Sequence, residues 1–214
     1  PEKVLNVEAM MIYKWLNVSV GYKYLKDVME WTKYIYPGKE FAYSTSLNFD
    51  HKQLLYASVN VSPKLGIFRP RWGFYYKQQF FDTRKYGASK ALSRPLLLCL
   101  LDNNFALSET MNAAISLNAA TPNADGFLMM KSNYSVDLRF DKSFANRTWI
   151  IYLSANDIFK TTKERWTMYG QGSGTMKDCY NYTRSISLQV TYNFNAKRSK
   201  YKGTGAGNEE KSRL

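Results

Sequence analysis

Along residues 184–194 apolar and polar side chains alternate without a break: Ile186, Leu188, Val190, Tyr192 and Phe194 against Ser185, Ser187, Gln189, Thr191 and Asn193. Successive side chains of a strand point to opposite faces, so this segment reads as a strand with one apolar and one polar face. Such a strand needs an oily partner on one side only, and either a soluble sandwich core or lipid supplies it. The pattern recurs. Val18/Val20/Tyr22/Tyr24 lie opposite Ser19/Gly21/Lys23, and Leu55/Ala57/Val59/Val61 opposite Tyr56/Ser58/Asn60. Ala113/Ile115/Leu117/Ala119 lie opposite Asn112/Ala114/Ser116/Asn118, and Tyr134/Val136/Leu138/Phe140 opposite Asn133/Ser135/Asp137/Arg139/Asp141. Trp72/Phe74/Tyr76 and Trp149/Ile151/Leu153/Ala155 are noisier members of the set. The run Leu96-Leu97-Leu98-Cys99-Leu100-Leu101 is apolar on both faces, so its period alone leaves a buried helix open, whereas Pro95 and Asp102-Asn103-Asn104 favour a short strand.

The pattern predicts strands at 4–14, 17–30, 43–61, 67–81, 94–106, 111–120, 129–141, 148–157 and 178–194. Their connections alternate in length. Tight joins fall at 15–16, 62–66, 107–109 and 142–147, and longer, more polar ones around 31–42, 82–93, 121–128 and 158–177. An all-β, antiparallel up-and-down meander with short turns on one rim and long loops on the other is the arrangement of a transmembrane outer-membrane β-barrel, of which this chain would form part. A soluble sandwich also alternates, but its polar face is solvated and rich in Lys and Glu, while Ser, Asn, Thr and Gln fill a barrel lumen. Here the polar faces are mostly Ser and Asn. Aromatic residues make up 16% of the chain, 17 of them Tyr. Tyr13, Trp15, Trp72, Trp149, Tyr192 and Phe194 sit near predicted strand ends, where an interfacial girdle would place them. Mean hydropathy of −0.44 fits as well, because only every second strand residue would meet lipid.

Two faces follow from this reading. Ile186, Leu188, Val190, Tyr192 and Phe194 would face lipid, and as a terminal strand closed by an aromatic they resemble the signal that barrel-insertion machinery reads. Glu8, Lys23, Tyr56, Asp137, Arg139 and Gln189 would face the lumen. No segment approaches the ~20 apolar residues of a membrane helix, and the chain begins at Pro1-Glu2-Lys3 without an export signal, which a barrel needs. About nine strands is an odd count, and an odd meander leaves its ends on opposite rims. The expectation is therefore that residues 1–195 are the carboxy-terminal section of a larger barrel and residues 196–214 a flexible periplasmic tail.

Several segments carry a family resemblance: Leu153-Ser154-Ala155-Asn156-Asp157-Ile158-Phe159, Trp166-Thr167-Met168-Tyr169-Gly170, Cys179-Tyr180-Asn181-Tyr182-Thr183-Arg184, Tyr192-Asn193-Phe194-Asn195 and the tail Ser199-Lys200-Tyr201-Lys202-Gly203-Thr204-Gly205-Ala206-Gly207-Asn208. Together they resemble the carboxy-terminal region of Bacteroidetes TonB-dependent-receptor-like outer-membrane β-barrel proteins, over essentially the whole chain. The resemblance implies uptake of a small solute through a gated barrel. It also implies an upstream signal, a plug domain, earlier strands and a TonB-contacting segment, none of which lies in these residues. It names no substrate. A barrel that anchors loops for adhesion or assembly without passing solute is the alternative.

Other chemistry is sparse. Gly203-Thr204-Gly205-Ala206-Gly207 has the look of a phosphate loop, but it follows a basic segment and opens no helical pattern. Cys99 and Cys179 lie on different predicted elements, and His51 is the single histidine, so no metal site, redox pair or catalytic triad is predicted and no cofactor is expected. An enzyme is not expected. The net charge of +13 is scattered over loops and tail rather than gathered on one face, which argues against nucleic acid. The plainer reading of this charge is solvation. Contact with anionic outer-membrane lipid or lipopolysaccharide phosphates is the sharper reading.

Overall fold

The computed structural model describes residues 1–35, 38, 42–170 and 174–194. The tail expected at 196–214, its glycine-rich run included, lies outside the described residues. Nine strands form one antiparallel sheet: β1 (Lys3–Tyr13), β2 (Leu16–Ile35), β3 (Ala42–Val61), β4 (Phe68–Phe80), β5 (Leu96–Ser108), β6 (Met111–Ala120), β9 (Asn133–Phe144), β10 (Trp149–Asn156) and β13 (Ser185–Tyr192). Each pairs with its neighbour in that order, and β1 and β13 stand at the two edges. The second sheet has four short strands in the order β12 (Gly174–Cys179), β11 (Glu164–Tyr169), β8 (Leu128–Met130), β7 (Asn123–Asp125). The sole described helix is a four-residue 3-10 turn, Thr83–Tyr86, capped by the Asp82 carboxylate on the Lys85 amide. Among the described residues no helix is long and apolar enough to cross a membrane.

The alternation read from the sequence is therefore a real two-faced sheet. Register carries one polar row from Glu8 through Gly21 and Tyr56 to Lys77, and another from Asn104 through Ala114, Arg139 and Ser154 to Ser187. The opposite face presents rows such as Val7–Tyr22–Leu55 and Cys99–Ala119–Tyr134. Ile186, Leu188, Val190 and Tyr192 lie on that apolar face and are exposed, Ile186 at 78%. Phe194 is exposed just beyond the end of β13. The doubtful run at 96–101 is a strand within β5.

Two strands start well inside their expected bounds. The strand expected at 129–141 begins at Asn133, because Leu128–Met130 pair instead with β7 and β11. The strand expected at 178–194 begins at Ser185, because residues up to Cys179 belong to β12 and pair with β11. The first long connection is also shorter than expected, since β2 runs on to Ile35 and β3 starts at Ala42. All four short connections lie on one rim, with Trp149 opposite Tyr192 beside them, and the long ones lie on the other rim.

At the long-loop rim the β2–β3 hairpin changes face. Asp27 takes a positive φ of 55°, and Asp27 and Asp50 drop out of the pairing between Lys26↔His51 and Val28↔Phe49. Leu25 and Val28 consequently pack on the same side despite their odd spacing, and Val28 is buried while its neighbour Met29 is 62% exposed. The buried core gathers here. Val28, Phe49, Phe81, Ala88, Phe127 and Met168 form it, and the Phe49 ring lies 5.0 Å from Phe127, 5.6 Å from Phe81 and 4.7 Å from Tyr86.

Candidate functional site: the polar face and its cap

Gly21 stands opposite Tyr56 in the β2–β3 register, and the space above its Cα is filled by the tyrosine ring, which a Cβ would overlap. Lying across that gap, the Tyr56 hydroxyl reaches β1 and donates to Asn6 Oδ1 at 2.9 Å, with Glu8 Oε2 at 3.5 Å. Glu8, Lys23 and Tyr56 line one pocket of about 470 Å³ with Ser19, Tyr75 and Lys77. Three of the six expected lumen residues are thus brought together. Asp137 lines a second pocket of about 590 Å³, further along the same face, with Asn60, Arg71, Asp102 and Ser116. In it Arg71 is ion-paired to Asp102, which also accepts from the Ser116 hydroxyl at 2.9 Å. Arg139 donates to Asn104 Oδ1 at 2.9 Å, and the Gln189 side-chain amide donates to Oγ1 of its own-strand neighbour Thr191 at 3.4 Å. Gln189 shares the face but neither pocket.

The four-stranded sheet covers the polar face at the long-loop rim. Its β7–β8 turn carries Asp125, whose two carboxylate oxygens accept from Lys52 Nζ at 3.1 Å and Lys77 Nζ at 2.8 Å. Lys52 is 4% exposed and also donates to Glu30 Oε1 at 2.6 Å, so two carboxylates neutralise a buried ammonium group. Burial raises the Asp125 pKa, but the Lys52 and Lys77 charges outweigh it and the carboxyl is held below its ordinary range. One residue on, Gly126 has a φ of 54°, and its backbone is gripped from both sides by the Gln79 amide: its N–H donates to Gln79 Oε1 at 2.8 Å and its carbonyl accepts from Nε2 at 3.2 Å. A Cβ at Gly126 would collide with the Glu30 carboxylate, so the close approach requires glycine. Phe127, 1% exposed, drives the turn into the core. On the outer side of this cap Glu164 accepts from Lys177, the Trp166 indole and Asn181, which together lower its pKa to about 2.

A second lock sits in Asn156-Asp157-Ile158-Phe159. Asp157 has a φ of 45° and is buried; its carboxylate accepts from Thr183 Oγ1 at 2.6 Å and from the Thr161 and Thr162 amides at 2.8 and 3.3 Å. Burial raises its pKa, and these donors more than reverse the effect. Its own amide donates to Asp137 Oδ1 at 2.7 Å and the Ile158 amide to the Val136 carbonyl at 3.0 Å. Asp137 therefore spends one oxygen holding this turn.

Against models of known families, residues 1–192 match the outer membrane protein beta-barrel family. The chain belongs to that family. Its place is accordingly the outer membrane, and the open antiparallel meander is barrel wall. Among solved structures it is similar to OmpT (in-vitro folded), an outer membrane protein of Vibrio cholerae, at 12% identity and a TM-score of 0.49, over 89% of this chain and 55% of that one. The chain spans about half the length of that protein. No match was found among curated proteins.

For a member of this family the expected aromatic girdle is informative. Trp149, Tyr192 and Phe194 pack in series at 4.4 Å spacings on the short-turn rim, the first pair tilted and the second edge to face. Trp72 lies further along β4 and turns its indole N–H to Asn103 Oδ1 at 3.0 Å. The cap and its lysine clamp were not read from the sequence. Asp125-Gly126 is a hairpin-turn signal that pointed to β7–β8. Lys52 and Lys77 carry no local signal, since each is only one more polar member of an alternating strand. Among the described residues no group of His, Cys, Asp and Glu is arranged to hold a metal.

Proposed function

We propose that the chain forms part of a gated barrel that carries a small polar solute through the outer membrane. One observation carries this reading: the long connections fold back over the polar face and are fastened there by Lys52, Lys77 and Gln79, as a channel that closes requires. In this reading the polar face is the lumen, where Glu8, Lys23, Tyr56, Asp137, Arg139 and Gln189 meet the solute's path. The apolar face meets lipid, the short-turn rim is periplasmic, and insertion machinery reads the strand ending at Tyr192-Asn193-Phe194. The resemblance to TonB-dependent-receptor-like barrels supports uptake energised from the periplasm, with TonB engaged outside these residues. The protein acts without a cofactor and is not an enzyme.

The experiment is potassium chloride conductance of the full-length protein in planar bilayers, wild type beside the double variant Asp125→Asn/Gln79→Ala. Expected are a silent wild type and long-lived open channels from the variant. Silence from both proteins, with each shown to be folded, would replace this reading with an adhesion or assembly anchor.

A further inference from the structure

The apolar face is not flat. Two adjoining furrows of about 270 and 410 Å³ cross it, sharing Leu97 and Cys99, and both are lined almost wholly by apolar atoms. They are open furrows formed where small side chains alternate with large ones: Ala57 stands beside Tyr76 in register, and Ala119 stands between Cys99 and Tyr134. Towards the long-loop rim the larger furrow ends at Thr121, Ser132 and Asn133. Three basic residues are anchored at or beside that end. Lys131 adjoins Ser132, the Arg165 guanidinium donates through Nη2 to the Ser132 carbonyl at 2.7 Å, and the Lys163 amide donates to Asn133 Oδ1 at 3.1 Å. Lys131 and Lys163 are exposed, and among the described residues none of the three has a carboxylate within ion-pair distance, although Asp178 is the cross-strand neighbour of Arg165. The Arg165 Nε is buried and has no partner.

We propose that the two adjoining furrows form one lipid site, in which an acyl chain of lipopolysaccharide lies between Tyr76, Leu97, Ala119 and Tyr134 while a headgroup phosphate is held by Lys131, Lys163 and Arg165. The inference rests on the reading that the apolar face meets lipid and the long-loop rim faces outward. Shape and charge both favour this occupant. An apolar furrow closed at one end by several cations fits a chain with an anionic head, and basic residues at a membrane surface are attracted to anionic lipid. Phosphate accepts strongly from both guanidinium and ammonium donors.

The test uses detergent-solubilised full-length protein and native mass spectrometry to count retained lipopolysaccharide, with the dephosphorylated lipid as comparison. Wild type should retain the phosphorylated form about tenfold better than the dephosphorylated one. Lys131→Glu/Lys163→Glu should lose that preference. Ala119→Phe, which fills the furrow, should weaken both forms, and Ala113→Phe, on the same face outside the furrow, should leave both unchanged. Heat-modifiable migration of each variant confirms folding, and the single Lys163→Ala substitution serves if the double variant does not fold. Retention unchanged in both the charge and the Ala119→Phe variants would overturn the site, as would equal retention of phosphatidylglycerol. Quenching of Trp149 by brominated acyl chains separates the two readings. Quenching without lipopolysaccharide preference removes only the site, whereas absence of quenching removes the lipid-facing assignment beneath it.

Discussion

Replacing Asp125 by Asn should release the cap without unfolding the wall. The substitution keeps the side chain's size and removes one of the two charges that neutralise Lys52, which is 4% exposed. Breaking a fully buried pair costs about 3–5 kcal/mol, and breaking an exposed pair about 0–1 kcal/mol. The geometry lies between these limits. Asp125 is 41% exposed at its side chain, and Glu30 still accepts from Lys52 at 2.6 Å, so a cost of about 1–3 kcal/mol is expected. That cost falls on closure of the cap rather than on the nine-stranded sheet, because the Asp125 carboxylate bonds to the sheet through Lys52 and Lys77 and takes no part in its strand pairing. A shift of this size raises the open population about 5- to 150-fold. Hydrogen exchange of the full-length protein in nanodiscs should show it as faster exchange over Leu128–Met130 and Glu164–Tyr169, with Leu16–Leu25 unchanged. Lys52→Met should act more strongly, since it leaves both Glu30 and Asp125 without their shared cation, and Phe127→Ala should cost about 3–5 kcal/mol by emptying the core under the turn. If Asp125→Asn exchanges like wild type across the cap while Phe127→Ala does not, the clamp holds nothing and apolar packing alone closes the cap.

Further outcomes follow from other parts of the molecule. Val190→Arg, on the apolar face of β13, should cost roughly 2–4 kcal/mol in folding into lipid vesicles, and Gln189→Arg much less; equal costs would reverse the assigned faces. Asp125 and Glu164 both have depressed pKa values, so the stability they contribute is complete above the ordinary carboxylate range, ~4, and disappears as pH falls through their lower folded values, about 2 for Glu164. Protease sensitivity of the cap should therefore be flat from about pH 7 to pH 5 and rise only below ~4, and a transition near neutrality would contradict the clamp. Gly21→Val should displace the Tyr56 ring and destabilise the wall by about 1–3 kcal/mol in urea unfolding, whereas an unchanged midpoint would mean that the ring moves away freely. Residues 1–214 alone should give no stable, uniform channels in planar bilayers, because β1 and β13 carry unpaired backbone groups that each cost several kcal/mol in hydrocarbon; uniform channels would show that the edges meet.

What the sequence disclosed was whatever repeats at short range. The rows of β6, β9 and β13 are legible because each strand keeps its two-residue period from end to end, and the short joins beside them fix which rim is which. Legibility failed where a period was real but belonged elsewhere. Leu128-Met129-Met130 continues smoothly into the apolar side of β9, yet pairs with Asn123–Asp125 and with β11. The face change at Asp27 is hidden because a positive φ in a polar residue leaves no mark on composition. The core of Val28, Phe49, Phe127 and Met168 draws on distant segments of the chain, and no local window contains enough of it to be recognised. Of the expected lumen residues, Glu8, Lys23 and Tyr56 converge because register alone brings them together. Asp137 has a second duty at Asp157 that only the folded turn reveals.

The separation between wall and cap also has a temporal side. Every pairing in the nine-stranded sheet joins strands that follow one another on that wall, so it can grow hairpin by hairpin, with short loops to close at four of its eight steps. The cap obeys no such order. Val28 and Phe49 must wait for Phe127 and Met168 from far downstream, and β11–β12 is synthesised only after eight of the nine wall strands. In the proposed gated barrel, closure of the cap is therefore a late step of maturation rather than a property of each hairpin as it forms. Such a barrel caught before that step would be a transient leak, ended when Asp125, Gly126 and Gln79 fasten the cap to the wall.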